Sequence, residues 1–226
     1  MKMITLSQLV QELQEGVYDP NIFKAIFLAG GPGSGKSYVA GKTIRGEGLK
    51  IVNSDDAFER LLKKAGLSLR MPEREKDQRD IVRDKAKRVT AARQSNYIEG
   101  RLGLIIDGTG RDYDRITKQA AELQNLGYDT YMVFVNTSLE VALERNEKRA
   151  RMVPEDIVRK SWNAVQSNIG KFSLFFKSGF IIVDNNDARE DVFLTVTRRI
   201  KNLLKRPLQN GRAKQWIQKE LDKRKR

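Results

Sequence analysis

Residues 23–38, FKAIFLAGGPGSGKSY, constrain this chain more than any other stretch. An apolar run (Ala25, Ile26, Phe27, Leu28, Ala29) stops at Gly30, and Tyr38, Val39 and Ala40 read as the start of a helix. The order is a buried strand, a glycine loop and a helix N-terminus. Between strand and helix, Gly30-Gly31-Pro32-Gly33-Ser34-Gly35-Lys36-Ser37 fits the pattern G-x-x-x-x-G-K-[ST]. In that pattern backbone N–H groups wrap phosphates, the lysine reaches the β and γ oxygens, and the hydroxyl meets Mg2+. Glycine suits the loop because the amides turn inward at positive φ, where a Cβ would clash. The plain alternative is a glycine turn that binds nothing.

The remaining composition narrows the chemistry. The 226 residues, 39% of them hydrophobic, can hold one large α/β domain with or without a short appendage. No run of eighteen apolar residues is present, so no membrane span is expected. Residues 1–16 alternate polar and apolar at helical spacing without the apolar centre of a signal peptide, so a cytoplasmic location is expected. There is no cysteine and no histidine. Disulfides, thiolate metal sites and imidazole chemistry are excluded, and any general base is a carboxylate, a lysine or a tyrosine. The net charge is +14, and the twelve basic and two acidic residues of 198–226 carry +10 of it. The preceding body is thus only mildly basic, at +4, and the tail is the part suited to a polyanion such as nucleic acid.

In chain order, Leu6, Leu9, Val10 and Leu13 form one face of a short helix capped by Thr5 or Ser7. The loop helix runs from Lys36 to about Arg45, and 49–53 reads as a second strand. Asp55 follows that strand, where ligand groups of an open parallel sheet collect, so it is placed to face a γ-phosphate. Its alternative role, or that of Ser54, is to cap the next helix, which buries Phe58, Leu61 and Leu62 and ends near Gly66. Residues 70–93 mix charges of both signs around a thin stripe of Ile81, Val82, Ala86, Val89 and Ala92. This predicts a long outer helix whose arginines make a solvated face, with a substrate role as the alternative.

The third strand, 103–107, ends in Asp107, an acid placed as the Mg2+-side carboxylate of phosphate-loop proteins. The next residue is Gly108, where many ATP hydrolases carry a water-activating glutamate, which tilts the reading towards phosphoryl transfer. A helix over 112–126, a strand over 131–135 and a helix over 139–149 follow, the last with Thr137 and Glu140 at capping-box spacing. Arg145, Lys148, Arg149 and Arg151 gather at its end, before Val153-Pro154 and a new helix from Glu155. This reads as a lid over a triphosphate, against a plain basic helix end favoured by the dipole. Residues 180–184 form the fifth strand, Asn185-Asn186 lie where a base-contacting loop belongs, and a helix over 188–204 closes the domain. A basic terminal helix, 213–225, offers Trp216, Ile217 and Leu221 for docking.

This succession resembles the P-loop kinases of the group that holds the 5′-polynucleotide kinases and the zeta-toxin kinases, over residues 23–186. Asn53-Ser54-Asp55-Asp56 is similar to the polynucleotide-kinase segment whose first aspartate is the general base, which points to Asp55. Arg145-Asn146-Glu147-Lys148-Arg149 with Val153-Pro154 is similar to the lid whose two arginines hold the donor phosphates. Asp107-Gly108-Thr109, Gly127-Tyr128 and Val183-Asp184-Asn185 look closer to zeta toxins. Phe58 stands where polynucleotide kinases carry an arginine, with Arg60 the nearest substitute, and Gly108-Thr109-Gly110 replaces their Thr-Asn.

The resemblance implies a three-layer α/β P-loop kinase fold with a five-stranded parallel sheet in the order 2-3-1-4-5 and a helical lid at about 145–160. The kinase domain is expected over 1–205 and a basic linker and helix over 206–226. Gly31, Pro32, Gly33, Ser34, Gly35, Lys36, Ser37 and Tyr38 are the expected nucleotide-binding residues. Lys36, Asp55, Arg145 and Arg149 are the expected catalytic ones, and Ser37 and Asp107 the Mg2+ ligands. ATP or GTP is the implied donor. The favoured acceptor is a nucleic-acid or nucleotide 5′-OH, and the runner-up a nucleotide-sugar hydroxyl. A nucleic-acid-binding NTPase and a protein-binding terminal helix are the remaining readings.

Overall fold

The computed structural model describes residues 17–44, 46–149, 152–187 and 190–225. The expected helix at 6–13 and Arg151 lie outside them. Five strands, β1 (Lys24–Ala29), β2 (Lys50–Val52), β3 (Leu104–Asp107), β4 (Asp129–Asn136) and β5 (Phe180–Asp184), pair in parallel in the order β2-β3-β1-β4-β5, as expected. The central strand β1 is buried along its whole length, as a parallel strand covered on both faces must be. Its side chains alternate between two cores. Ala25, Phe27 and Ala29 face one, and Ile26 and Leu28 the other.

Helices cover each face. On one side α1 (Lys36–Thr43) and α8 (Glu190–Leu204) supply Val39, Phe193, Val196 and Ile200. On the other, α4 (Tyr113–Leu126) contributes Ile116, Ala120 and Leu123, while α6 (Glu155–Gln166) adds Val165. A third cluster, Ala57, Phe58, Leu62 and Ala86, joins α2 (Ser54–Lys64) to α3 (Lys76–Glu99). These two helices form a packed pair beside the sheet edge, and only Tyr97 and Ile98, at the end of α3, pack against a main core among the described residues.

Three local readings are corrected. The helix after β4, α5 (Leu139–Glu147), is capped by Ser138, whose hydroxyl accepts from Val141 N at 3.3 Å, and not by Thr137. Thr137 instead offers its carbonyl to Trp162 Nε1 at 2.9 Å. The long outer helix runs over 76–99 rather than 70–93, because a 3-10 turn at Glu73–Glu75 follows Pro72. Between α6 and β5 a further helix, α7 (Ile169–Phe176), escapes the sequence reading, since IGKFSLFF is short and mostly apolar, with Lys171 and Ser173 as its polar side chains. Its Phe172 and Phe176, one turn apart, are the residues that reach the core.

The terminal helix α9 (Gly211–Arg224) packs against the core. Ala213 is fully buried and Trp216 meets Phe23 edge-on at 5.4 Å between ring centroids. Among the described residues no helix is long and apolar enough to cross a membrane.

Candidate active site

Parallel strands bring their carboxyl ends to one rim, and the chemistry-bearing residues lie there. The loop leaves β1 at Gly30, whose N–H bonds Thr109 O at 2.9 Å, while Gly108 N bonds Leu28 O at 3.1 Å. The Gly108-Thr109-Gly110 stretch therefore continues β3 alongside the loop's base. Gly33 and Gly35 have φ of 79° and 81°. A Cβ on Gly33 would fall on the Ala142 carbonyl, and one on Gly35 on the Asn185 amide, so neither position admits a side chain. Gly35 also caps α1 with no side-chain hydrogen bond and no acid in the first turn. The first N–H groups of α1 thus end in an uncapped, positively polarised terminus fit for an anion.

Lys36 Nζ bonds Gly30 O across the loop at 2.9 Å. Desolvation lowers its pKa below the usual lysine value; the carboxylates of Asp107 and Asp55 oppose this and the Arg149 charge adds to it. Asp107 shifts the other way. Burial raises its pKa, Lys36 counters, and the neighbouring Asp55 and Asp56 raise it further. Charges on Asp107, Asp55 and Arg149 thus all reach Lys36.

Asp107 Oδ2 accepts from Asn53 Nδ2 at 2.9 Å, whereas its Oδ1 is buried and has no hydrogen-bond partner among the described residues. A carboxylate oxygen left unpaired in a buried position is costly unless a ligand completes it. Ser37 lies exposed in the first turn of α1. One hydroxyl and one such carboxylate beside a phosphate cradle suit Mg2+, which keeps several waters and takes the rest of its shell from phosphates. No cluster of three acidic side chains that could hold a metal occurs among the described residues.

Asp55 sits in the first turn of α2, but the helix is capped by Asn53, whose side chain accepts from Asp55 N at 2.7 Å. The capping role is taken, so the Asp55 carboxylate is not needed for it. Half exposed, it meets Arg83 Nη1 of α3 at 2.6 Å. Sequence reasoning missed Arg83, because nothing in the charge pattern of 70–93 marks one arginine among many.

The two lid arginines are placed differently. Arg145 donates through Nη1 to Asn185 O at 2.7 Å and through Nη2 to Asn186 O at 2.9 Å, strapping α5 to the loop after β5. Asn185 in turn donates to Ser34 O at 2.8 Å, so strap and phosphate loop are one connected unit. Arg149 is exposed, and its charge reaches Lys36. Asn146, also unpredicted, donates to Val153 O at 2.7 Å and accepts from Val153 N at 3.1 Å, pinning together both ends of the segment between α5 and α6. The Tyr38 ring packs edge-on against Phe193 at 5.4 Å, which leaves its main chain as the part next to the loop. A separate cleft of about 630 Å³, lined by Tyr128, Asp129, Tyr131 and Arg206, lies where β4 begins, at the opposite rim of the sheet.

Fold and site together define a P-loop phosphotransferase that acts on hydroxyl groups. The chain belongs to the zeta toxin family, which matches residues 14–195. No curated protein sequence matches it. Among solved structures, a chain of the PezAT chromosomal toxin–antitoxin system of Streptococcus pneumoniae superposes with a TM-score of 0.52 at 17% identity, over 89% of this chain and 95% of that one. The AvrRxo1-ORF1:-ORF2 complex with ATP gives 0.54 at 14% identity, over 83% and 70%. Both are likenesses of fold. A chain of the Pnkp1/Rnl/Hen1 RNA repair complex gives 0.51 at 25% identity over 66% of this chain, a match that spans 46% of that one's length.

Proposed function

We propose that this protein transfers the γ-phosphoryl group of ATP to a hydroxyl of a nucleotide-borne acceptor, with Asp55 as general base. The observation that carries this reading is the buried Asp107 Oδ1, unpaired among the described residues, on a carboxylate tied through Asn53 to the first turn that carries Asp55, beside the uncapped helix terminus that follows the glycine loop. Gly31 to Ser37 cradle the donor phosphates, Lys36 offsets charge as it shifts to the leaving oxygen, and Arg149 covers the donor from the lid side. Arg145, spent on the carbonyls of Asn185 and Asn186, positions the loop expected beside the donor's base. Ser37 and Asp107 are the residues that would hold Mg2+, whose charge stabilises the donor phosphates when bound.

In the transfer, the acceptor oxygen forms a bond to Pγ. The bond from Pγ to the bridging oxygen breaks, its electron pair leaving on the β-phosphate of ADP. The hydroxyl proton passes to the Asp55 carboxylate. Exclusion of water by the helix ends that Asn146 pins together keeps hydrolysis from competing with transfer.

The family match favours a nucleotide-sugar acceptor. A second reading, a nucleic-acid 5′-OH, is favoured by the Asn53-Ser54-Asp55-Asp56 segment and the 25% identity to the RNA repair chain. Incubation with γ-labelled ATP, UDP-sugars, nucleosides and 5′-OH DNA and RNA tests both. Label on a UDP-sugar supports the first, label on a polynucleotide end the second, and label in inorganic phosphate alone contradicts both.

A further inference from the structure

We propose that Arg83 is the acceptor-side anion clamp, a specificity-determining residue that requires the acceptor to carry a phosphate close to its reacting hydroxyl. Arg83 reaches Asp55 from α3 with one terminal nitrogen, Nη1 to Oδ1 at 2.6 Å. Its guanidinium lies 4.8 Å over the Phe58 ring, which fixes the plane of the fork. Phe58 is itself buried at 4% exposure in the cluster that joins α2 to α3, so the platform is rigid. The rest of the fork has no protein partner among the described residues, and the side chain is 34% exposed. An exposed pair of this kind contributes little to stability, about 0–1 kcal/mol, so fold maintenance does not account for the oriented guanidinium.

A planar fork with one arm on a carboxylate and the other open accepts a second anion beside the first, and phosphate matches its spacing. An acceptor phosphate held there would bring the neighbouring hydroxyl to Asp55. The contact also holds the base in place while the acceptor site is empty. Acceptors without an anionic group would forgo this contact and bind weakly. The argument rests on the reading of Asp55 as base, but the anion contact itself can be measured without turnover.

The test is equilibrium binding to the full chain, with a non-hydrolysable ATP analogue and Mg2+ filling the donor site. Two matched pairs of probes are titrated, UDP-glucose against glucose and thymidine 3′-monophosphate against thymidine. The expected result is at least tenfold tighter binding of the phosphorylated member of one pair, lost in Arg83→Gln and partly restored in Arg83→Lys, with the affinity for the ATP analogue unchanged. The pair that responds separates a nucleotide-sugar from a polynucleotide end. Steady-state turnover of the responding probe should show the loss in KM more than in kcat. Equal binding within both pairs, or Arg83→Gln binding like wild type while melting normally, overturns the clamp. Anion-dependent binding without transfer from ATP to either probe upholds the clamp and contradicts the proposed transfer to these two acceptors.

Discussion

Asn53 donates its side-chain amide to Asp107 Oδ2 at 2.9 Å while its side-chain oxygen caps α2 through Asp55 N at 2.7 Å. One residue thus joins the end of β2 to the end of β3 and orients the first turn that carries Asp55. Replacement by alanine removes the cap and leaves a buried carboxylate with neither oxygen bonded among the described residues. Asn53→Ala should lower stability by about 1 kcal/mol from the cap alone. It should also reduce phosphoryl transfer more than Ser54→Ala does, as read by melting temperature and turnover side by side.

Asp55→Asn separates base from cap. The cap belongs to Asn53, and asparagine keeps the shape at 55, so melting should change little. Transfer should fall by ~10²- to 10⁴-fold, the usual loss for a general base. A variant with full turnover and lowered melting temperature would reverse the assignment.

The terminal helix calls for substitution rather than deletion. Ala213 and Trp216 are packed against the core, so removing α9 would expose Phe23 and confound any binding experiment. Trp216→Ala should cost about 2–3 kcal/mol, less than the ~3–5 of a fully buried ring, because Trp216 is only half buried. Changing exposed Lys214, Lys219 and Lys225 to glutamine keeps the helix docked. If these lysines contact a polynucleotide, the salt dependence of binding should flatten by about 0.7–0.9 per lost phosphate contact. An unchanged slope removes the tail from the list of nucleic-acid anchors.

Two of the six tyrosines should ionise late. Burial raises the Tyr128 phenol, which donates to Leu102 O at 3.1 Å, and pushes Tyr131, which donates to Leu203 O at 3.2 Å, up to about 12. Their folded-state pKa values lie above the unfolded value of about 10. The stability they contribute is therefore complete below pH 10 and lost as pH rises through 12. Phenolate absorbance should show a late phase coincident with loss of near-UV circular dichroism. A single early transition with the fold intact would contradict the burial of both rings.

The sheet was legible because its signals are local. An apolar run, an abrupt glycine loop and strands ending at Val52, Asp107 and Asp184 mark β1, β2, β3 and β5 without reference to anything distant. The positions of Lys36, Asp55, Asp107 and Arg149 at or near strand and helix ends were legible for the same reason, since their own neighbours define those ends. What stayed hidden depends on tertiary contact. Arg83 is chosen among the arginines of α3 only by the Phe58 ring beneath it, and Asn146 only by the returning backbone at Val153. The eight residues of α7 are too few, and Leu174 and Phe175 fill too much of the gap between Phe172 and Phe176, for the spacing to separate helix from strand in the sequence. Arg145, read as a phosphate ligand, spends two of its N–H groups on carbonyls 40 and 41 residues away, a contact no sequence spacing shows.

The central claim is that the glycine loop and Lys36 deliver a γ-phosphoryl group to an acceptor hydroxyl. The direct measurement is transfer from γ-labelled ATP to the acceptor panel by wild type and by Lys36→Ala, with α-labelled ATP as control. Among the described residues the Lys36 ammonium bonds a loop carbonyl alone, and it sits outside all three hydrophobic clusters, so the variant should fold normally. The account predicts γ-label, and no α-label, on a hydroxyl of the acceptor with wild type, and no transfer above background with Lys36→Ala at unchanged melting temperature. Near-normal transfer by Lys36→Ala, or appearance of α-label on the acceptor, would contradict it.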